Sequence, residues 1–130
     1  MSIDVALDGV VAEFFANLDA LNFEAMSAAL TDDAQGVDEI SRGWMRGRQD
    51  IDRYFRDTLS RVADVQSKVR DSSTRVFGDV GIVTCVLDQT YTLDGQPQQI
   101  SAPTTLILIR ESGGWKVALV HSVPLPPDGS

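Results

Sequence analysis

The segment that decides the fold is residues 105–123, TLILIRESGGWKVALVHSV, which reads as two apolar strands joined by a tight turn. Apolar residues fill both alternating sets of the first strand, because Leu106 and Leu108 face one way while Ile107 and Ile109 face the other. An antiparallel sheet with one solvated face normally alternates apolar with polar residues. Both faces of this hairpin are therefore expected to be covered.

The strand pattern extends upstream from this hairpin to Val65. The segments VQSKVRDSSTRVF, VGIVTCVLDQTYTL, QQISAPTTLILIRE and WKVALVHSV all have strand composition. Turn-forming pairs separate them, namely Gly78-Asp79, Asp94-Gly95 and Gly113-Gly114. The pattern predicts an antiparallel meander of four strands.

The first half of the chain is helical in pattern. Apolar residues recur every three or four positions from Ile3 to Leu18, which predicts a first helix capped by Ser2. A short second helix follows, with Asn22 as its cap, and a third covers roughly Gln49 to Val62, after a loop with a short strand near Ala34 to Ile40. Helices followed by a sheet predict a single α+β domain over residues 1–130, with residues 124–130 as an irregular tail.

Composition excludes several classes of partner. The net charge of −8 disfavours nucleic acid and anionic membrane surfaces. The single cysteine, Cys85, excludes an internal disulfide. The N-terminal sequence lacks the basic region of a signal peptide, and no apolar run reaches membrane-spanning length. We expect a cytoplasmic protein.

Three strings, in this order and spacing, connect the chain to a known superfamily. They are ALTDDAQGVDEI at residues 29–40, GWMRGRQDIDRYF at residues 43–55, and the segment at residues 105–123. Together they resemble the nuclear transport factor 2-like (NTF2-like) superfamily, in particular its SnoaL-like and ketosteroid isomerase-like branches, over roughly Val5 to Val123. The resemblance implies a cystatin-like fold, in which three helices pack on a strongly curved antiparallel sheet and leave an apolar pocket at the open end of a cone.

The same resemblance implies a homodimer through the outer face of the sheet, which agrees with the apolar residues on both faces of the last strands. The alternative is a closed sheet without a partner. If Trp115 and His121 face the cone, strict alternation assigns the interface to Ala118 and Val120; otherwise it falls to Val117 and Leu119.

Two residues are candidate catalytic groups. Asp38 lies where the resemblance places the carboxylate base of ketosteroid isomerase-like enzymes, and an apolar pocket would raise its pKa. His121, the only histidine, shares a strand face with Trp115 and Leu119 if the faces alternate. The two would then share one pocket, with Asp38 as base and His121 as donor. The alternatives are a solvated loop aspartate and a structural histidine.

Other side chains are candidates for binding a flat organic ligand or are plain core. They are Phe14, Phe15, Trp44, Tyr54, Asp88, Tyr91 and Thr105, with Gln89 and Thr104 as alternatives to their neighbours. Phe14 stands where the isomerases carry a tyrosine of the oxyanion hole, so steroid isomerisation is not expected. One histidine and scattered carboxylates favour neither a metal site nor a cofactor.

These features lead to two functional hypotheses. The first is a SnoaL-like protein that binds a small apolar or polyketide-like molecule in the cone, with general acid/base chemistry of an isomerase, cyclase or dehydratase type. The second is a non-catalytic ligand-binding or dimerisation module of the same fold. Fold alone does not decide between them.

Overall fold

The computed structural model of the chain describes residues 3–125, and their side chains from Ala6 onward. The helices are α1 (Ile3–Asp19), α2 (Phe23–Ala28) and α3 (Arg48–Asp57), with a 3₁₀ turn at Leu59–Arg61. The strands are β1 (Leu30–Val37), β2 (Met45–Arg46), β3 (Val62–Phe77), β4 (Val80–Leu93), β5 (Gln96–Glu111) and β6 (Gly114–Ser122). Ser2, predicted as a cap, and residues 126–130 of the predicted tail lie outside the described residues.

The α+β class predicted from the sequence is confirmed, with one difference in the sheet. The strands form a single six-stranded sheet in the order β2-β1-β6-β5-β4-β3. The four long strands are an antiparallel meander, as predicted, but β1 pairs with β6 in parallel, with Val37 opposite His121. A parallel pair is possible here because β1 and β6 are far apart in the chain, so no hairpin dictates their relative direction.

The turns between the long strands follow the predicted chemistry. Asp94 and Gly95 both have positive φ, at 51° and 80°, as a two-residue hairpin turn requires. The last turn lies one residue earlier than predicted, at Ser112 and Gly113, and Gly114 already belongs to β6. Asn22 caps α2 as expected, because its Oδ1 accepts from the Ala25 amide at 3.2 Å.

A β-bulge in β6 changes which side chains face the core. Val117 pairs with Leu108 and Leu119 pairs with Ile107, so Ala118 is an extra residue without a partner on β5. An extra residue shifts the alternation by one position. Val117 is therefore buried in the core, whereas Leu119 faces the other side of the sheet.

The core lies between the helices and one face of the sheet. Helix α1 packs on β3 and β4, and Leu7 of this helix is fully buried. Its side chain lies against Gly81 of β4: a Cβ at this glycine would come within 2.8 Å of Leu7 Cδ1. The glycine thus permits the close approach of helix and sheet. No helix among residues 3–125 is long and apolar enough to span a membrane.

The opposite face of the sheet carries a continuous apolar strip, which we call the outer stripe. It consists of Phe77, Val80, Ile82, Ile107, Ile109 and Leu119, which neighbour one another through the register of β3, β4, β5 and β6. Phe77 is 62% exposed, and the other members are partly exposed. No helix among the described residues packs on this face, so these apolar side chains remain in contact with solvent in the single chain.

Candidate functional site

An apolar cavity of about 100 Å³ lies between the helices and the inner face of the sheet. Most of its wall is aliphatic or aromatic, and its polar lining includes two adjacent carboxyl groups. Its lining residues are Phe14, Phe15, Leu18, Met26, Leu30, Gln35, Gly36, Val37, Asp38, Glu39, Ile40, Met45, Ile51, Tyr54, Phe55, Leu59, Val62, Val65, Leu87, Gln89, Tyr91, Val120 and Ser122. The cavity is the best candidate for a ligand site, because it combines apolar walls with a few converging polar groups.

Asp38 forms the first polar contact of the cavity. Its Oδ1 accepts hydrogen bonds from the backbone amides of Ile40 at 3.0 Å and Ser41 at 2.8 Å. The Tyr54 hydroxyl donates to both carboxylate oxygens, at 3.0 Å to Oδ1 and 2.9 Å to Oδ2. Asp38 therefore closes the turn that follows β1 and is fixed there by a tyrosine from α3.

Glu39 forms a second contact of the same kind. The hydroxyl of Tyr91, on β4, donates to Glu39 Oε1 at 3.1 Å. Burial of the Glu39 side chain raises its pKa above the usual 4.5, and the neighbouring charge of Asp38 raises it further, while hydrogen bonds from its own amide and from Tyr91 oppose the shift. A partly buried carboxyl with a raised pKa, at the wall of a cavity, is typical of a functional site.

Asp38, Glu39, Tyr54 and Tyr91 make up what we call the carboxyl–tyrosine cluster. The pKa of Tyr54 is raised far above its usual value by burial, with the Asp38 charge as the next cause. The pKa of Tyr91 is raised by burial and then by Glu39. Both hydroxyls therefore remain protonated donors over the physiological range. The cluster can hold a proton, or accept one, at one side of an apolar chamber.

The end of β1 explains why two successive side chains reach the same cavity. The strand ends at Val37, and Asp38 begins a turn closed by a hydrogen bond from the Arg42 amide to the Asp38 carbonyl at 3.0 Å. The sequence predicted a strand as far as Ile40, in which neighbouring side chains would alternate between faces. In the turn, Asp38 and Glu39 both line the cavity.

His121 does not share the cavity with Asp38. The bulge at Ala118 turns Val120 and Ser122 toward the cavity and leaves His121 on the opposite face of β6. There the imidazole packs against Trp44, with ring centroids 5.6 Å apart and ring planes tilted by 41°. Unbroken alternation along β6 predicts the reverse arrangement of Val120 and His121.

Trp44 and Thr105 also lie away from the cavity. Trp44 is 45% exposed and packs beside Arg46 as well as His121. Thr105 pairs with His121 across β5 and β6. Its neighbour Thr104 points inward, where its hydroxyl lies 3.0 Å from that of Ser122.

Of the neighbours Asp88 and Gln89 in β4, Gln89 reaches the cavity and Asp88 does not. Gln89 is buried and donates to the Ser67 hydroxyl at 2.9 Å. Asp88 faces outward and accepts from Arg70 Nε at 2.6 Å, a contact that lowers the pKa of Asp88. A larger hollow of about 840 Å³ lies beside this pair and is lined mainly by polar groups of β3, β4 and β5.

The remaining four candidates belong to the cavity wall and also to the hydrophobic core. Phe14 and Phe15 from α1, Tyr54 from α3 and Tyr91 from β4 all line the cavity. Sequence reasoning missed Glu39, Gln35 and Ser122 as lining residues. Glu39 belongs to the same acidic segment as Asp38, and the density of acidic residues there favours a solvated loop as the alternative prediction.

Residues 6–125 contain no group of three or more histidine, cysteine, aspartate or glutamate side chains arranged to hold a metal ion. Cys85 is buried in the core, and burial raises the pKa of its thiol. A nucleophilic cysteine requires the opposite shift. The polar side chains among the described residues that line the cavity carry carboxyl, hydroxyl and amide groups.

Comparison with known proteins identifies the family. The model of the SnoaL-like domain matches residues 8–126. The chain belongs to this family, as its sequence strings and its fold indicate. No curated protein matches the chain.

Solved structures with low sequence identity share the fold. The CaMKII hub of S. rosetta has a TM-score of 0.82 at 19% identity, over 96% of this chain and 98% of that one. A ketosteroid isomerase-like protein from Erwinia carotovora atroseptica has a TM-score of 0.81 at 15% identity, over 95% and 96%. An NTF2-like protein with a cystatin-like fold from Novosphingobium aromaticivorans has a TM-score of 0.74 at 17% identity, over 96% and 82%.

Proposed function

We propose that the cavity binds a small neutral carbonyl compound and that the carboxyl–tyrosine cluster transfers a proton to or from it. The observation that carries this proposal is the pairing of an apolar chamber with two adjacent carboxyl groups, each held by a tyrosine. A positioned carboxylate can act as the general base that removes a proton next to a carbonyl, and an apolar surrounding raises its proton affinity. The kinship with isomerase-like and SnoaL-like proteins supports the same class of reaction.

The size of the cavity restricts the ligand to about one ring. Its volume is about 100 Å³, whereas an engineered protein cavity of about 150 Å³ binds benzene. Pockets for larger organic ligands measure about 300 Å³ or more. A monocyclic ketone fits this chamber better than the polyketide-like ligand considered from the sequence.

The charge of the lining restricts the ligand further. Asp38 and Glu39 are its acidic residues, and no lysine, arginine or histidine is among the described residues that line the cavity. An anionic ligand would meet negative charge without a compensating cation in a site of low dielectric. A neutral ligand avoids this cost.

Binding can be tested with cyclohexanone as the probe. The compound is titrated into the ¹⁵N-labelled full chain at millimolar concentration, and amide resonances are followed by NMR. We expect shifts confined to residues that line the cavity. In Val120→Phe the new ring occupies the cavity and should abolish them.

Leu119→Phe is the matched control, because Leu119 is the adjacent residue and lies on the outer stripe. It should bind cyclohexanone as the native chain does. Equal binding by both variants, or no shifts in the native chain, would contradict the proposal.

A second candidate function is a dimerisation module, and the outer stripe favours it. A contiguous apolar surface on one face of a sheet is typical of a protein–protein interface. A homodimer through this face is compatible with ligand binding, because the cavity opens on the other side of the sheet. The two candidates differ in whether the cavity has a ligand at all.

A further inference from the structure

We propose that Glu39, and not Asp38, is the residue that exchanges a proton with the ligand, while Asp38 is a positioning residue that closes the turn. This assignment rests on the proposed function. It departs from the resemblance, which places the base at Asp38. The geometry of the two carboxyl groups carries it.

The carboxylate of Asp38 is occupied by donors that belong to the fold. Oδ1 accepts from the amides of Ile40 and Ser41 and from the Tyr54 hydroxyl, and the same hydroxyl also lies 2.9 Å from Oδ2. A carboxylate has about four acceptor positions. A proton on Asp38 would have to lie on Oδ2, where it would displace the Tyr54 hydroxyl, and loss of the carboxylate charge would weaken the amide contacts to Oδ1.

The carboxyl group of Glu39 accepts fewer hydrogen bonds than that of Asp38. Tyr91 donates to Oε1, and no other side chain among residues 6–125 donates to this carboxyl group. The backbone turn does not depend on the Glu39 side chain, since the turn amides bond to Asp38. Glu39 can thus gain or lose a proton without breaking the local structure.

The electrostatic surroundings of Asp38 and Glu39 support the same assignment of roles. Burial and the charge of Asp38 raise the pKa of Glu39, so Glu39 binds a proton more strongly than an ordinary carboxyl group does. A base with higher proton affinity removes a proton from carbon more readily, provided that it is ionised at working pH. Burial is the larger cause of the raised pKa of Glu39, and the neighbouring charge of Asp38 adds to it.

The proposed step is a reversible proton transfer without net change in the ligand. Ionised Glu39 takes a proton from the carbon next to the carbonyl, and the electron pair of the C–H bond forms the enolate, with the negative charge on the carbonyl oxygen. Return of a proton from Glu39 to carbon restores the ketone. In D₂O the carboxyl proton exchanges with solvent, so the returning atom is deuterium.

Hydrogen–deuterium exchange at the α-carbons of cyclohexanone tests the assignment. The full chain is incubated with cyclohexanone in D₂O, and ¹H NMR measures the loss of the α-proton signal. We expect the native chain to accelerate exchange over buffer. Glu39→Gln should lower the catalysed rate about 100-fold or more, since loss of a general base has effects of about that size.

Asp38→Asn is the matched comparison, because asparagine keeps Oδ1 as an acceptor for the turn amides. It should lower the exchange rate by no more than about tenfold, well below the loss of a general base, and it should move the pH profile of exchange to lower pH, because loss of the Asp38 charge lowers the pKa of Glu39. Rapid exchange in Glu39→Gln, or loss in Asp38→Asn as well, would overturn the assignment while leaving the proposed function in place. Absence of acceleration by the native chain would instead overturn the proposed function, and the assignment with it.

A measurement on the native chain tests the assignment without a variant that could misfold. ¹³C NMR of the side-chain carboxyl groups gives the titration curve of Glu39, and the exchange rate is measured over the same pH range. We expect the rate to rise with pH along the Glu39 curve. A rate that follows the curve of Asp38 would contradict the proposal.

Discussion

Asp38 and Glu39 are neighbours with the same functional group, yet their surroundings give them different properties. Asp38 accepts from two backbone amides and from Tyr54, so its carboxylate is part of the turn. Glu39 has one side-chain donor and a raised pKa. The difference arises because β1 ends at Val37, so that Asp38 is the first residue of the turn and accepts from the turn amides.

Two substitutions at Asp38 should separate its structural role from its charge. Asp38→Ala removes the acceptor for the amides of Ile40 and Ser41 and for the Tyr54 hydroxyl, and should lower the free energy of unfolding by about 1–3 kcal/mol. Asp38→Asn keeps one acceptor oxygen and should cost less than half as much. Urea unfolding monitored by circular dichroism measures both. Equal costs would show that the turn does not depend on Oδ1.

Among single residues, the aromatic side chains of the cavity wall were predictable from the sequence, whereas the carboxyl group of Glu39 was not. The cavity walls at Phe14, Phe15, Tyr54 and Tyr91 were predictable from apolar periodicity and the family resemblance. Glu39 was not, because its orientation depends on a turn that ends a predicted strand early. A difference of three residues in a strand boundary is enough to reverse the side on which a residue lies.

Among the elements, β6 shows how one extra residue in a strand changes which side chains face the cavity. The bulge at Ala118 sends Val120 to the cavity and His121 to the outer face, beside Trp44. Neither of the two outward sets derived from strict alternation, Ala118 with Val120 or Val117 with Leu119, is present in the fold. A bulge carries no composition signal when all neighbouring residues are apolar, so periodicity could not locate it.

The helices and hairpins were more predictable than the strand faces. Their signals are local, namely a three-to-four-residue period, an Asn cap and Gly-containing turns. The parallel pairing of β1 with β6 depends instead on contacts between distant parts of the chain. Only the folded structure contains that information.

The contact between α1 and β4 gives a prediction at the same scale. Gly81→Ala places a methyl group 2.8 Å from Leu7 Cδ1 in a fully buried position. Overpacking of this kind should lower the free energy of unfolding by about 1–3 kcal/mol. Thermal and urea unfolding measure the change. In a Leu7→Val background the cost should be smaller, because the shorter side chain leaves room.

Gly9→Ala serves as the control for this substitution. Gly9 lies in α1, and nothing lies within 4 Å of the Cβ that alanine would add. The change should stabilise the protein by about 0.5–1 kcal/mol through helix propensity. If Gly81→Ala behaves like Gly9→Ala, close helix–sheet packing does not limit this position.

For the whole molecule, the outer stripe predicts self-association. Size-exclusion chromatography with light scattering should report a dimer at micromolar concentration, because burial of the stripe removes apolar surface from water. Ile107→Asp places a charge in the middle of the stripe and should shift the population to monomer. The cavity and its NMR response to cyclohexanone should survive this change.

Thr90→Asp is the corresponding control, since Thr90 is an exposed residue on the same face of β4 but outside the stripe. It should leave the dimer intact. A native chain that remains monomeric at high concentration would exclude the interface, and dissociation by both variants would mean that net charge, not the stripe, controls association.

The carboxyl–tyrosine cluster also provides an optical signal, because the chain has two tyrosines and both belong to this cluster. Their pKa values are raised above the usual 10.0, so the folded state resists phenolate formation while the unfolded state does not. Folded stability must therefore fall as pH rises above the ordinary tyrosine value. Alkaline titration at the phenolate absorption band should show a late, steep increase that coincides with loss of circular dichroism. A gradual increase near the ordinary value, with the fold retained, would show that the hydroxyls are free. The alkaline ultraviolet spectrum thus reports whether the two tyrosine hydroxyls remain bonded to the carboxyl groups of the cavity.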